Sequence, residues 1–457
     1  MIYPEHFEDK TGFDRIREML REGCLCNLGR NEVDKMQFTT DSDKISNELQ
    51  KVEEFKQLQL FEDNFPVDNY HDLSPVFSKI RIEGRFLELE ELFQMKKSLE
   101  TLKAIVNYFK TDERRDKYPL LQQLVKGIPL FPFIYQRIDK IITPNGRIKD
   151  NASPELSDIR SSLKAKENSV SRVMQSVLKR VQGAGLIDSD TTVNFRNGRP
   201  VLPILAGNKK RISGFIHDES ATGKTVFIEP AEVVELNNEI RELENAEKRE
   251  AIKILTIFAD DIRPFIDELK LAYFYLGMID FLRSKARFAI RINAFKPTMV
   301  GKPWIEWFKA VHPLLFLHFQ NINKQVVPLD ITLDEKNRIL LISGPNAGGK
   351  SVCLKTVGLL QYMLQCGMLV PAQDNSVFGI FENVFMDIGD EQSIDNDLST
   401  YSSHLTNLKY FTRNANSKTL VLVDEFGTGT EPLLGGAIAE SALHHLNEMK
   451  SFGVVTT

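Results

Sequence analysis

Residues 344–351 read Gly344-Pro345-Asn346-Ala347-Gly348-Gly349-Lys350-Ser351, a match to G-x-x-x-x-G-K-[ST]. Such a segment binds phosphate for physical reasons. Its glycines let backbone N–H groups approach phosphate oxygens, and the start of a following helix adds positive potential. In that role Lys350 reaches the β- and γ-phosphates, and the Ser351 hydroxyl joins a Mg²⁺ shell. Further along, the apolar run Thr419-Leu420-Val421-Leu422-Val423 ends in two carboxylates, Asp424 and Glu425. Asp424 at the end of a strand can hold a metal-bound water, and Glu425 is then placed to polarise the attacking water. The expected cofactors are ATP and Mg²⁺. The expected catalytic residues are Glu425 and Lys350, with Ser351 and Asp424 holding the metal.

These motifs need particular elements to position them. Arg338-Ile339-Leu340-Leu341-Ile342-Ser343 reads as a buried strand leading into the loop, and Val352–Gln365 as the helix that follows. From about Thr298 the chain alternates strand, loop and helix, which predicts an α/β domain over 298–457. The first three hundred residues read mainly as helix, with a helical core over 1–153. A lever region spans 154–297, with one long amphipathic segment from Pro154 to Gln182 and another from Pro230 to Asp261. In the first, Ile159, Leu163, Val170, Val173, Met174, Val177, Leu178 and Val181 share one stripe. In the second, the stretch from Glu239 to Lys253 is mostly charged, so it is either a solvated arm or one strand of a paired coil. Between them, residues 191–230 are rich in Gly, Thr and β-branched or aromatic residues, with a turn at Asn197-Gly198, which predicts a small β-rich insert. The expected fold class is therefore mixed: mainly α-helical core and lever with a small β-rich clamp insert, then an α/β P-loop (ABC-like) ATPase domain.

Composition excludes some classes. The formal net charge of −5 argues against a protein basic all over, although a local patch can still bind nucleic acid. Arg196, Arg199, Lys209, Lys210 and Arg211 form such a group in the β-rich insert. They read either as a clamp on nucleic acid or as a solvated hairpin. No apolar run is long enough to span a membrane, and Met1–Arg15 lacks a signal core, so a cytoplasmic location is expected. The four cysteines are too few for a disulfide framework and are expected as free thiols, Cys24-Leu25-Cys26 included. His217, Asp218 and Glu219 are consecutive, so neighbours on a strand face opposite ways and do not converge on one ion.

Several further segments carry a family resemblance. They are Val311-His312-Pro313-Leu314-Leu315, Leu354-Lys355-Thr356-Val357-Gly358-Leu359, the run Asp387-Ile388-Gly389-Asp390-Glu391-Gln392-Ser393-Ile394, and Leu398-Ser399-Thr400-Tyr401-Ser402-Ser403-His404-Leu405. With Asn346 in the phosphate loop, they resemble the ATPase domain of the MutS family. The Asp387–Ile394 run and Gly214-Phe215-Ile216-His217-Asp218-Glu219-Ser220 are more similar to its MutS-II branch. The resemblance implies a homodimer in which Ser399, with Thr400, approaches the partner's γ-phosphate; the alternative is that these two residues cap a helix starting at Tyr401. It implies no mismatch-reading domain, because Phe86-Leu87-Glu88 falls inside a helical pattern. It also implies that the chain is truncated: the family continues past Thr457 with a histidine, further helices and an Smr nuclease module, so hydrolysis should be impaired here. The implied function is an ATP-binding and ATP-hydrolysing clamp on nucleic acid, branched or recombination-intermediate DNA first. The alternative is a ribosome-associated quality-control ATPase acting on stalled or collided ribosomes, with the ribosome or rRNA as partner.

Overall fold

The computed structural model describes every residue except 345–348, 390–396 and 428–430, and describes side chains at all remaining positions save 397–401 and 432. The chain divides into two compact units, each discontinuous in sequence. One comprises Met1–Asp72, Glu100–Leu130 and Leu269–Thr457; the other comprises Leu73–Leu99 and Phe131–Glu268.

The first unit is built on a five-stranded, all-parallel sheet in the order Ile2–Tyr3, Asn383–Asp387, Thr419–Val423, Phe452–Thr456, Ile339–Ile342. The inner strands read as continuous apolar runs because both faces of a parallel sheet are covered; every residue of Thr419–Val423 and of Phe452–Thr456 is buried. The helix Lys350–Gln365 lies against this sheet so closely that a Cβ on Gly358 would come within 2.5 Å of Met386 and 2.9 Å of Leu422. On the other face, Phe385, Phe411, Val421, Val455 and Leu446 share one core. Register pairs Asp387 with Val423, Val423 with Val455, and Thr456 with Ile342, so four strands end level with one another. In such sheets ligands bind just beyond these carboxyl ends.

The N-terminus belongs to this unit. Ile2 and Tyr3 pair with Val384 and Phe385 as the edge strand, and Phe7, Phe13 and Phe38 pack around Tyr362 of the Lys350–Gln365 helix. A second, four-stranded sheet orders Thr298–Val300, Val377–Gly379, Ile305–Ala310 and Leu329–Leu333, with Trp307 stacked on Phe378 at 4.3 Å.

In the second unit the helices Pro154–Gly183 and Ala231–Ile262 run antiparallel, as one hydrogen bond and three ion pairs show. Ser153, Arg160, Lys166 and Arg180 meet Glu250, Glu247, Glu239 and Glu232 in descending order. The charged stretch of the second helix is thus one strand of a pair. Val170, Met174, Val177 and Val181 carry the buried stripe onto Val233 and a four-stranded antiparallel sheet. That sheet is ordered Asn194–Arg196, Arg199–Leu205, Thr225–Pro230, Gly214–Glu219. Its first hairpin turns at Asn197 and Gly198, whose φ values of +49° and +77° are those a two-residue type I′ turn requires. Among the described residues no helix is long and apolar enough to cross a membrane.

Candidate functional site

The phosphate-loop residues open from the end of the strand Ile339–Ile342. Gly344 has φ +152° and Gly349 has φ +83°, backbone that only glycine adopts readily. Pro345, Asn346, Ala347 and Gly348 lie outside the described residues. Gly349 caps the helix Lys350–Gln365, so Lys350 and Ser351 occupy its first turn, where the helix dipole is positive. Lys350 is 7% exposed. Its ammonium is held by two backbone carbonyls, those of Gly344 and of Thr457, the latter at 2.6 Å. A buried ammonium cradled this way is aimed along the strand ends, where phosphate oxygens can replace the carbonyls.

The two carboxylates stand two strands further on, across Phe452–Thr456. The Asp424 N–H donates to the Asp387 carbonyl at 2.8 Å, and Phe426 N–H to that of Thr456 at 2.8 Å, so the ladder brackets this turn on both sides. Between them Glu425 takes φ +51°, a left-handed conformation that costs a non-glycine residue about 1–2 kcal/mol. That twist turns its N–H onto the Thr456 hydroxyl at 3.1 Å and Asp424 Oδ1 at 3.2 Å. The Thr456 hydroxyl itself donates to Asp424 Oδ1. Asp424 is 5% exposed while Glu425 is exposed. A buried carboxylate oriented through one oxygen suits a metal-bound water, and an exposed carboxylate beside it suits a base.

Reading motifs alone misses four neighbours, Asp387, His404, Asn407 and Thr456. Asp387, the last residue of its strand, accepts from Asn407 Nδ2 at 2.8 Å and lies 2.7 Å from His404 Nδ1. The hydrogen bond to Asp387 lifts the His404 imidazole above its ordinary pKa; burial opposes this, and the Asp387 and Glu425 charges reinforce it. Asp387, His404, Asp424, Glu425 and Gly427 line one pocket with about 20 Å³ of free space, room for a single water. The sequence signal was the Asp387 and His404 pair inside the quoted family segments. Thr456 had only the paired threonines at the end of an apolar run.

Ser399 and Thr400 fall within the helix Asp397–Asn414, not ahead of it, so the expectation that they cap a helix beginning at Tyr401 is corrected; their side chains lie outside the described residues. The five basic residues of the insert are not one cluster. Arg196 and Arg199 flank the hairpin turn, whereas Lys209, Lys210 and Arg211 sit on the 3₁₀ helix Ala206–Arg211, beyond the far end of the strand Arg199–Leu205. Six strand steps separate those ends by roughly 20 Å. The first two are also engaged. Arg199 binds both oxygens of the buried Glu229 at 3.0 Å, and Arg196 contacts Asp218 at 3.1 Å and lies 3.9 Å over the Phe227 ring. Lys209, Lys210 and Arg211 are exposed. His217 reaches Glu229 at 2.6 Å, which separates it from Asp218.

The cysteines are free. Burial pushes the Cys24 thiol up to about 12 and the Cys26 thiol up to about 11. Both belong to a loop whose Leu25 and Cys26 N–H groups donate to the buried Asp280.

Comparison with known proteins points to one family. A profile of MutS domain V matches residues 340–457, the segment that carries the loop helix, both carboxylates and the strands between them. The whole chain is similar to proteins named Endonuclease MutS2. It is 34% identical to that of Alkaliphilus oremlandii over 97% of this chain and 55% of the relative. For Fusobacterium nucleatum the figures are 35%, 99% and 57%, and for Thermomicrobium roseum 35%, 97% and 56%. The chain thus spans little more than half the length of the relatives it matches. On this evidence, the chain is similar to MutS-family proteins over nearly its whole length, and residues 340–457 match their domain V.

Proposed function

We propose that this chain binds ATP with Mg²⁺ at the carboxyl ends of the five-stranded sheet and hydrolyses it, as the motor part of a MutS-like protein acting on DNA. The observation that supports this most is the convergence of Lys350, Asp424 and Glu425 on one edge of the sheet, with Thr456 between them. The donor set fits a magnesium nucleotide: an ammonium at a helix start, a half-buried Ser351 hydroxyl next to it, and a buried carboxylate oriented through one oxygen. When bound, Mg²⁺ would neutralise charge developing on the phosphates. Ser351 and Asp424 would hold it. Lys350 would leave its carbonyl cradle for the β- and γ-phosphates, and Glu425 would take the proton of the attacking water. Ser399 and Thr400 would complete the site of a second copy.

The nucleic-acid reading takes its support from the word endonuclease in the relatives' name and from the exposed basic tip of the β-rich insert, which we assign to a clamp at the end of paired lever helices. Branched DNA is the proposed substrate. The test is nucleotide binding and turnover with Lys350→Ala and Glu425→Gln, alongside binding of a four-way junction, a linear duplex and ribosomes over a salt series. Lys350→Ala should abolish nucleotide binding, and Glu425→Gln should keep binding and lose turnover. Normal hydrolysis by both variants would remove the site assignment. Tight ribosome binding with weak junction binding would replace DNA as the target.

A further inference from the structure

The edge of the sheet that bears Glu425 also bears an acid–base pair that the nucleotide motifs do not use. His404 presents Nδ1 to Asp387 Oδ2 at 2.7 Å, and the other oxygen of Asp387 accepts from Asn407 Nδ2 at 2.8 Å. His404 and Asn407 are three residues apart on one helix, so both reach the same carboxylate from one face. Asn407 is held in turn, because its Oδ1 accepts from the Tyr3 hydroxyl at 2.7 Å. Asp387 is only 2% exposed, and the loop after it is tied by Lys10, whose ammonium donates to the Ile388 carbonyl at 2.8 Å.

This arrangement fixes more than the helix. A carboxylate that accepts at Nδ1 sets the tautomer and the plane of the imidazole, and so directs the Nε2 edge. The ring lines the same pocket as Asp424 and Glu425. Glu425 itself is an exposed side chain with several rotatable bonds, and a base of that kind works only when it is oriented.

We propose that His404, oriented by Asp387, is a positioning residue for hydrolysis, its Nε2 edge holding the Glu425 carboxylate in the rotamer that meets the attacking water. This rests on the reading of Asp424 and Glu425 as the hydrolytic pair. The charge on the ring supports it, since Asp387 and Glu425 both favour the protonated imidazole against burial. A purely structural network would tie the helix Asp397–Asn414 to the sheet and leave turnover unaffected in a folded variant.

The experiment measures ATP affinity and single-turnover hydrolysis of the full chain carrying His404→Ala or His404→Gln, each alone and combined with Glu425→Gln. Thermal unfolding is measured alongside. His404→Gln keeps a donor for Asp387, so it carries the comparison if the alanine variant does not fold. Loss of an orienting partner of this kind costs roughly 10–100-fold. We expect that loss in the hydrolysis rate, ATP affinity within about two-fold of wild type, and no further loss in the Glu425→Gln background. The inference is overturned by full turnover in the folded His404 variants, by losses that add in full to that of Glu425→Gln, or by a change confined to affinity. If Glu425→Gln alone hydrolyses ATP normally, the hydrolytic reading falls and takes this one with it. If Glu425→Gln is inactive while the His404 variants are not, only this inference falls.

Discussion

The hydroxyl of Thr456 donates to Oδ1 of Asp424 across two neighbouring parallel strands, and the Thr456 hydroxyl oxygen in turn accepts the N–H of Glu425 at 3.1 Å. A hydroxyl offers one donor and two acceptor positions, so a single side chain orients one acidic residue and anchors the backbone of the next. The strand register makes this possible: Val423 pairs with Val455, which sets residues 424 and 456 side by side, one step past the ladder.

Thr456→Val keeps the shape of that side chain and removes both hydrogen bonds. It leaves the Glu425 N–H without its Thr456 acceptor, at a cost of about 1–3 kcal/mol, and loosens Asp424. ATP turnover should fall about ten-fold, and the Mg²⁺ concentration for half-maximal rate should rise. Thr456→Ser should restore both. A magnesium titration of turnover checks this, and an unchanged midpoint in a folded valine variant would sink it.

Glu425 holds a left-handed backbone, φ +51°, that glutamate disfavours. Asparagine tolerates that region far better. Glu425→Asn should therefore raise unfolding stability by about 1 kcal/mol while removing turnover, since the strain is kept for the sake of the base. Urea unfolding of the two forms decides it. A variant less stable than wild type would show that the conformation is not strained.

The parts of this fold that were legible in the sequence are those whose signal is local. The run Thr419–Val423 announced a strand, Asn197-Gly198 announced a turn, and the glycines before Lys350 announced a phosphate-binding loop. What stayed hidden depends on register between distant segments. The edge strand Ile2–Tyr3 is two residues long and has meaning only through Val384 and Phe385. The Asp387, His404 and Asn407 network joins a strand to a helix. Arg196 and Arg199 seemed close to Lys209 in number, yet the strand Arg199–Leu205 parts them, and their partners Asp218 and Glu229 came to hand only through sheet pairing. Periodicity shows which face is buried but not what buries it.

Glu229 is the buried anchor of the β-rich insert. Burial alone would raise its pKa, but hydrogen bonds from Asn237, His217 and Arg199 hold it below the ordinary carboxylate value. A group depressed in the folded state stabilises it above the unfolded value, ~4.3, and loses that contribution as pH falls through the folded value. Glu229→Gln leaves the Arg199 guanidinium without its charge partner and should cost about 3 kcal/mol at neutral pH. The variant should also lose part of the wild-type decline in stability below about pH 4.3. Urea unfolding from pH 6 to 3 tests both, and parallel curves for the two proteins would refute the assignment.

The split of the basic residues gives the DNA proposal a sharp test. Lys209, Lys210 and Arg211 are exposed on the 3₁₀ helix Ala206–Arg211, while Arg196 already faces Asp218 and the Phe227 ring. Each phosphate contact contributes about 0.9 to the slope of log affinity against log salt. Replacing all three exposed cations by alanine should lower that slope by roughly 2–3 for a duplex or junction. Arg196→Ala should lower it by less than about one, because its charge is spent within the insert. Fluorescence anisotropy over a salt series measures both. Equal slopes for wild type and the triple variant would move any nucleic-acid contact away from this tip. A larger effect from Arg196 would mean that its pairing with Asp218 gives way when DNA binds.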